Sequence, residues 1–583
     1  MPLDYRNINT FWSSLIAETL HRLGLTTAII CPGSRSTPLA VAFAEHPHIQ
    51  AIPILDERSA SFFALGIAKR THNPTAIICT SGTAGANFYP AVIEATESRV
   101  PLLIFTADRP PELRYCRAGQ AIDQVKLYGN YPNWQTELAI PSLEREMLRY
   151  LRQNIIHGWE RSLFPTAGVV HFNCPFREPL APIIQSEIRE ALANFDVNNF
   201  FDAVSNYQIS LTSSFVSLPS QWLSEPRGII IAGVAHPKSP ESYCQAIADL
   251  AQFLNYPVLA EALSPARNFA HLNPNLVTTY DLILRNQVLA RNLVPNLVIQ
   301  IGDFPTSKEL RKWLQGIEPN HWIIDSSPDN IDPLHNKTTY LRISVEEINL
   351  KNTRLKNNNS SNLVWLKEWQ AIDNKMRKKI DLVLESVDFL LESKVAWLLS
   401  QALPTKSSIF IANSMSVRNA EFFWQPNYHQ IVPYCNRGAN GIDGTLSTAL
   451  GIAHQSQNSV MLTGDLALLH DTNGFLIDQH FQGHLTIVLI NNNGGGIFEM
   501  LPISQFNPTF EQFFATPQNI DFSQFCNTYK IDYQKIISWT HLQNLLQQLP
   551  QTRIRVLEIV TDRKKDTLWL QDTFNKLAME LEL

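Results

Sequence analysis

The chain has 583 residues, 45% of them hydrophobic and 17% charged, which is enough for about three or four domains with sizeable cores. The net charge of −6 is small for this length and no long basic run occurs, so we expect no nucleic-acid partner. No apolar run approaches the roughly 20 residues of a membrane span, no secretory signal is visible, and the seven cysteines are scattered, so we expect a soluble, cytoplasmic protein with reduced thiols.

The first third of the chain alternates apolar, strand-like runs with segments of helix length. Residues 10–23 carry apolar side chains at helical spacing and are followed by Gly24, a residue that commonly ends a helix. Strands separated by such segments are typical of a doubly wound parallel sheet. The strands predicted here are 27–31, 52–55, 76–79, 102–106 and 169–172.

Two further series of the same kind follow. The predicted strands are 228–232, 258–260, 297–301, 322–325 and 340–345 in the second series, and 408–412, 460–463, 485–490 and 555–560 in the third. Polar, irregular stretches near 190–220 and 351–362 are typical of linkers. The sequence therefore predicts an α/β protein of three doubly wound parallel-sheet modules, with domains at 1–195, 215–350 and 365–583.

Two strand ends in the third module carry polar residues and glycines. One apolar run is followed by Gly464-Asp465-Leu466, and the next by three asparagines and three glycines. Parallel strands place such loops at one edge of the sheet, where ligands bind. A carboxylate oxygen of Asp465 beside an amide oxygen of Asn492 would suit Mg²⁺. The alternative is a pair of ordinary strand–loop junctions.

These motifs resemble the signature of thiamine diphosphate enzymes, a Gly-Asp-Gly followed at a distance by Asn-Asn. Leu466 stands where that general signature has its second glycine. The loops at 31–38, 107–113, 119–124 and 436–444 are similar to those of one branch, the 2-succinyl-5-enolpyruvyl-6-hydroxy-3-cyclohexene-1-carboxylate synthase family of menaquinone and phylloquinone biosynthesis. In that family Gly-Asp-Leu is the usual form of the motif, and the resemblance extends over essentially the whole chain.

The resemblance implies thiamine diphosphate and Mg²⁺ or Mn²⁺ as cofactors. It implies that Glu57 hydrogen-bonds the aminopyrimidine ring and acts as a proton relay; by itself, Glu57 could equally be a favourable charge at a helix N-terminus. It implies metal ligands at Asp465, Asn492 and the carbonyl of Gly494, and a bulky apolar prop for the cofactor at Ile442, which could also be a packing residue. The implied cofactor contacts are Glu57, Ile442, Gly464, Asp465, Leu466, Asn492, Gly494, Gly495, Ile497 and Phe498.

The resemblance also implies the reaction: decarboxylation of 2-oxoglutarate and addition of the resulting four-carbon carbanion to isochorismate. Both substrates are dicarboxylates, and arginine can bind a carboxylate through two parallel hydrogen bonds. Any one of the arginines involved could instead be a solvated surface charge. The implied substrate-binding residues are Ser34, Arg35, Arg109, Gln120, Lys308, Ser414, Arg418 and Arg437.

The resemblance further implies a homodimer or homotetramer, with the cofactor held by the first module of one chain and the third module of its partner. Two other hypotheses remain. One is an acetohydroxyacid-synthase-like enzyme, against which the number of loop arginines argues. The other is a non-catalytic α/β binding subunit, against which the presence of Glu57, Asp465 and Asn492 together argues.

Overall fold

The computed structural model describes residues 3–205, 217–350 and 360–579. The named strands in these ranges form three six-stranded sheets, and neighbouring strands in each sheet are parallel. The prediction of three doubly wound parallel-sheet modules is therefore confirmed.

The first sheet has the strand order β2-β1-β3-β4-β6-β5. Its strands are β1 (Thr27–Ile30), β2 (Gln50–Pro53), β3 (Thr75–Cys79), β4 (Leu102–Asp108), β5 (Trp134–Glu137) and β6 (Val169–Pro175). The helices of this region are α1 (Ile8–Leu23), α2 (Thr37–Ala44), α3 (Glu57–Thr71), α4 (Thr83–Asn87), α5 (Tyr89–Glu97), α6 (Arg145–Leu163), α7 (Ser186–Ala191) and α8 (Val197–Phe200). A 3₁₀ turn covers Pro111–Leu113.

Helix α1 shows how local sequence sets an element's bounds. Asn7 accepts a hydrogen bond from the Thr10 backbone, and the Thr10 side chain accepts one from the Asn7 backbone, so the two residues form a capping box. At the other end, Gly24 has a φ of 115°, a left-handed conformation that suits glycine. The helix thus begins slightly before the predicted range and ends at Leu23, where the sequence predicted.

The second sheet has the order β12-β11-β10-β7-β8-β9. Its strands are β7 (Gly228–Ala232), β8 (Val258–Ala260), β9 (Leu276–Val277), β10 (Leu297–Ile301), β11 (Asn320–Ile324) and β12 (Lys337–Leu341). The helices are α9 (Ser220–Ser224), α10 (Pro240–Leu254), α11 (Tyr280–Leu284), α12 (Gln287–Asn292) and α13 (Lys308–Ile317). The strand predicted at 340–345 begins earlier, at Lys337, so that prediction was wrong in its bounds.

Strands β7 and β10 lie where the strand order of the second sheet reverses, the place at which doubly wound sheets usually open a ligand crevice. Just past these strands, Val234 and Asp303 form an antiparallel bridge through two backbone hydrogen bonds of 3.0 and 3.1 Å. A Cβ on Gly233 would lie 1.8 Å from the Asp303 carbonyl oxygen. The two strand-end loops therefore close on each other.

The third sheet has the order β14-β13-β15-β16-β18-β17. Its strands are β13 (Ser408–Ile411), β14 (Val432–Tyr434), β15 (Ser459–Gly464), β16 (His484–Asn491), β17 (Asp532–Lys535) and β18 (Arg553–Val560). The helices from residue 360 onwards are α14 (Ser360–Glu385), α15 (Glu392–Ala402), α16 (Met415–Phe423), α17 (Thr445–Ala453), α18 (Asp465–His470), α19 (Phe522–Tyr529), α20 (Trp539–Gln547) and α21 (Arg563–Met579).

The chain groups into two compact units, one built on residues 1–210 with 436–454 and 470–482, the other on 211–435 with 455–469 and 483–583. In the first unit, helices α3 and α17 touch through their backbones: a Cβ on Gly66 would lie 2.9 Å from the Gly451 Cα. In the second unit, the fully buried Arg267 forms an ion pair with Glu421 at 3.1 Å.

Both predicted linkers fall partly outside the described residues, at 206–216 and 351–359. Within the described part, Phe200 and Phe201 are buried in the core of the first module, so the region before residue 206 packs rather than merely connects. No helix of the described ranges is long and apolar enough to cross a membrane.

Candidate active site

The two polar strand ends of the third module meet at one edge of its sheet. Strands β15 and β16 are neighbours, with Gly464 in register with Ile490. The Asp465 side chain is buried. It accepts a hydrogen bond from the Leu466 backbone amide at 2.9 Å and another from the Gly494 backbone amide at 2.8 Å. The carboxylate is thus tied to the loop that carries the asparagines.

Asn492 adds an unsatisfied oxygen to this edge. Its amide nitrogen donates to a carboxylate oxygen of Glu392 at 3.3 Å, whereas its buried Oδ1 has no hydrogen-bond partner among the described residues. Burial raises the pKa of Asp465 to about 6, as expected for a carboxylate held away from water. An anionic oxygen and an unpartnered amide oxygen on adjacent strand ends are hard donors that fit Mg²⁺.

The glycines after Asn492 are required by close backbone packing. Gly494 has a φ of +143°, and a Cβ there would lie 2.4 Å from the Ala515 carbonyl oxygen. The Gly495 amide donates to the same oxygen at 2.8 Å, so in this conformation it is directed at protein backbone and not at a phosphate. Ile497 and Phe498 follow, half-buried, in the 3₁₀ helix Gly496–Met500.

Glu392 is a residue that the sequence analysis missed. It lies in α15, is buried, and holds the amide of Asn492. Burial, reinforced by the nearby Asp566, raises the pKa of Glu392 to about 8. Glu392 is the first residue of α15, where an acidic residue is common as a helix N-terminal charge, so nothing in the sequence indicated its contact with the distant Asn492.

Glu392→Gln is expected to keep the fold and remove a pH dependence of stability. The acid's pKa is raised from 4.5 to about 8 in the folded protein, so between these values the unfolded chain releases a proton that the folded chain keeps. This group therefore makes wild-type stability fall as the pH rises through the window, and the glutamine variant should show a shallower fall because it lacks this contribution. Denaturant titrations of cofactor-free protein from about pH 5 to about pH 8 measure it.

Glu392→Ala is the matched comparison, because it leaves the Asn492 amide nitrogen without its acceptor. Glu392→Ala should lower the free energy of unfolding by about 1–3 kcal/mol relative to Glu392→Gln. Identical pH slopes for wild type and Glu392→Gln would contradict the raised pKa.

Glu57 is the first residue of α3 and is half-buried. The residues on either side of it are held in place by hydrogen bonds. Asp56 accepts a hydrogen bond from the Ser59 amide at 2.9 Å and another from the Asn473 side chain at 2.7 Å. Arg58 donates to the His470 carbonyl oxygen at 2.8 Å. The carboxylate of Glu57 therefore projects from a helix start with a fixed backbone.

A cavity of about 350 Å³ lies at the ends of β1 and β2, next to this helix start. It is lined mostly by apolar residues, together with a glutamine and a histidine: Ile30, Pro32, Pro53, Ile54, Leu55, Leu476, Gln479 and His480. Leu55, two residues before Glu57, is 66% exposed.

Four of the predicted substrate residues lie on two loops of the first module. Arg35 is buried, donates to the Phe176 carbonyl oxygen at 2.9 Å, and follows Ser34 in the loop after β1. Arg109 binds the Gly119 carbonyl oxygen through two nitrogens at 2.8 and 3.1 Å, next to Gln120. Burial, then the charge of Arg109, lowers the pKa of Arg35. The two guanidinium groups are thus close enough to repel each other, and Arg35 also forms an ion pair with Glu178 at 3.4 Å.

Two further side chains shape this region and were not predicted. Arg114 pairs with Asp108 at 3.0 Å and donates to the Arg109 carbonyl oxygen at 3.1 Å. The buried Gln124 accepts the Gly82 amide at 2.8 Å and donates to the Ala107 carbonyl oxygen at 3.2 Å. Both residues order the loops on which Arg109 and Gln120 lie.

In the third module, Ser414 has a φ of 69°, a left-handed conformation that is costly for a residue with a side chain. Arg418 donates to the Ser414 carbonyl oxygen at 2.6 Å, so the pair forms one unit at the start of α16. Lys308 is exposed at the start of α13. Arg437 and Ile442 lie, half-buried, on the loop before α17. The substrate and cofactor roles of all these residues stay predictions.

The comparisons with known proteins agree with this arrangement of modules. Residues 12–127 match the family model described as "Thiamine pyrophosphate enzyme, N-terminal TPP binding domain", and residues 205–411 match "Middle domain of thiamine pyrophosphate". Thiamine pyrophosphate is another name for thiamine diphosphate. The class is therefore that of the thiamine diphosphate-dependent enzymes.

Several relatives match over the full chain and carry the same name, 2-succinyl-5-enolpyruvyl-6-hydroxy-3-cyclohexene-1-carboxylate synthase. The one from Rippkaea orientalis is 75% identical over 100% of this chain and 98% of its own length. Those from Gloeothece citriformis and Acaryochloris marina are 63% and 56% identical, over 99% and 100% of this chain and 100% of their own lengths. The chain belongs to the 2-succinyl-5-enolpyruvyl-6-hydroxy-3-cyclohexene-1-carboxylate synthase family.

Proposed function

We propose that this chain decarboxylates 2-oxoglutarate and adds the resulting four-carbon unit to isochorismate, releasing CO₂ and forming the product for which its relatives are named. The single observation that carries this proposal is the full-length similarity to those relatives. The nearness of the Arg35 and Arg109 guanidinium groups supports it, because both substrates are dicarboxylates and arginine binds carboxylates. The product would serve menaquinone or phylloquinone biosynthesis.

We propose Asp465, Asn492 and the carbonyl oxygen of Gly494 as ligands of Mg²⁺ or Mn²⁺, which would join the protein to the diphosphate. The buried carboxylate and the unpartnered Asn492 Oδ1 support this assignment. When bound, thiamine diphosphate supplies the carbon centre that takes up the 2-oxo acid and accommodates the charge left by loss of CO₂. The remaining proposed contacts are Ile442, Gly464, Leu466, Gly495, Ile497 and Phe498.

Glu57 is proposed to hold and move one proton at the aminopyrimidine ring. A positioned carboxylate can do this only if its backbone does not drift, and the hydrogen bonds of Asp56 and Arg58 fix that backbone. The mostly apolar cavity beside the helix start would suit a flat ring and exclude water from it.

The chain is proposed to assemble as a homodimer or homotetramer in the cytoplasm. Its proposed domains are 1–195, 215–350 and 365–583. The exposed Leu55 and the mostly apolar cavity that it lines form a continuous apolar surface beside Glu57, which supports a partner subunit at this edge. Six of the seven free cysteines are buried, which suits a reducing compartment.

The test of the reaction is direct. Purified protein with thiamine diphosphate, Mg²⁺ and 2-oxoglutarate should release CO₂, and isochorismate should be consumed in equal amount when it is added. Turnover with pyruvate in preference to 2-oxoglutarate would favour the acetohydroxyacid-synthase-like alternative. No CO₂ from any 2-oxo acid would favour a non-catalytic subunit.

Arg418→Ala and Arg35→Ala are expected to damage different halves of the reaction. Arg418, on the third module, is proposed to bind 2-oxoglutarate, so its loss should raise the KM for 2-oxoglutarate roughly ten- to a hundredfold, the worth of one charge-assisted contact. Arg35 and Gln120, on the first module, are proposed to bind isochorismate. Loss of Arg35 should leave the first half-reaction near normal and slow the second.

Stopped-flow absorbance with 2-oxoglutarate alone, and then with isochorismate added, separates the two steps. The control is Arg189→Ala, which removes an exposed arginine on α7 and should change neither step. Equal damage to both steps by Arg418→Ala and Arg35→Ala would show that the substrates have been assigned to the wrong modules.

A further inference from the structure

Glu94, on helix α5, is a buried carboxylate with an unusual set of partners. Its two oxygens accept the amides of two consecutive loop residues, Gly438 at 3.1 Å and Ala439 at 2.7 Å. The same carboxylate accepts the Ser98 hydroxyl at 2.6 Å and lies 3.5 Å from the ammonium group of Lys69, which is also buried. Nothing in the sequence pattern of α5 had indicated a role for it.

A buried carboxylate is costly unless its hydrogen bonds and charge are satisfied. Glu94 obtains this from Lys69 on α3, from Ser98, and from the loop itself. Because two of its hydrogen bonds come from adjacent backbone amides, they fix the direction of the loop and not only its distance from the helix.

The loop at 436–444 also packs closely against the end of α5. A Cβ on Gly438 would lie 2.7 Å from the Ser98 hydroxyl oxygen and 2.8 Å from the Cβ of Glu97. The loop can therefore reach Glu94 only with a glycine at this position. Arg437, one of the proposed substrate arginines, is the residue immediately before it.

The far end of the loop has a separate anchor. The buried Asp471 accepts the Ser447 amide at 2.7 Å in the first turn of α17, three residues after Gly444. Ile442, the proposed cofactor prop, lies next to this end. Glu94 thus controls the end that carries Arg437, whereas Asp471 controls the end that carries Ile442.

We propose that Glu94 is a positioning residue that holds Arg437 at the substrate carboxylate by clamping the amides of Gly438 and Ala439, an inference that rests on the proposed function. Glu94→Gln replaces one accepting oxygen with a donor, so one loop amide loses its partner. Gly438→Ala displaces the loop from the other side and leaves the Lys69–Glu94 pair intact, which guards against a variant that fails only by unfolding.

Hydrogen exchange on peptides covering residues 436–444 is the first readout. Both variants should exchange the Gly438 and Ala439 amides at least about tenfold faster than wild type. Both should raise the KM for at least one dicarboxylate substrate about tenfold. This is the lower end of the loss of affinity expected when one charge-assisted contact is removed. The affinity for thiamine diphosphate should stay within about threefold, because the Ile442 end keeps its anchor. Glu160→Gln, on an exposed surface of α6, should change none of these.

Unchanged exchange of the two amides would overturn the clamp. Faster exchange with unchanged KM values, or a lower melting temperature alone, would overturn the positioning role and leave a structural one. Failure of the proposed function itself appears differently, as absence of turnover by the wild type, and the exchange measurement still decides whether Glu94 holds the loop.

Discussion

Glu57→Gln is expected to lower turnover by roughly 10²–10⁴-fold, the usual contribution of a positioned general acid–base group. The substitution keeps the size of the side chain and its place at the start of α3, where Asp56 still caps the helix. It removes the ability to exchange a proton with the aminopyrimidine. Steady-state rates of CO₂ release, with cofactor, 2-oxoglutarate and isochorismate saturating, measure the effect.

The control is again Glu160→Gln, the same chemical change on an exposed surface of the first module. Its turnover should match that of wild type. A fall in turnover of less than tenfold in Glu57→Gln, with normal cofactor binding, would contradict the proton-relay role. Glu57 would then be a simple helix-terminal charge.

Asp465→Ala is expected to abolish the Mg²⁺ dependence of thiamine diphosphate binding. Without this carboxylate the proposed cation loses its one anionic protein ligand, and the Gly494 amide loses its acceptor. The diphosphate would then face the protein without a bridging charge. Calorimetric titration of the cofactor, with and without Mg²⁺, measures the loss.

Asp572→Ala, which removes an exposed carboxylate on α21, is the matched control and should bind as wild type does. Undiminished, metal-dependent binding by Asp465→Ala would remove this residue from the metal site. Loss of binding in both variants would point to a general electrostatic effect.

The interior strands were predictable because burial on both faces leaves a continuous apolar run, as in β3, β4 and β16. The strands that escaped prediction lie mostly at sheet edges. Strand β5 (Trp134–Glu137) is half-exposed throughout, β17 (Asp532–Lys535) is polar, and β14 (Val432–Tyr434) contains a proline. Edge strands tolerate such residues because one side of their backbone needs no partner strand.

The candidate site was predictable where chemistry lies at the end of a strand. Asp465 and Asn492 follow apolar runs directly, so the strand pattern alone predicts that they lie at one edge, and the sheet register places the two strand ends side by side, with Gly464 opposite Ile490. Glu392 and Glu94 were not predictable in this way. Each lies within a helix and acts through a contact that only the folded chain creates, which hydrophobic periodicity does not reveal.

The bridge between Val234 and Asp303 has a thermodynamic consequence. In an open sheet of this topology, a bound ligand ties the two diverging halves together and adds its binding free energy to the stability of the fold. Here β7 and β10 pair directly in the sheet, and two further backbone hydrogen bonds join the loops that follow them, so the central module needs no ligand to hold this edge together. Cofactor starvation should therefore loosen the first and third modules while the middle of the chain keeps its protection.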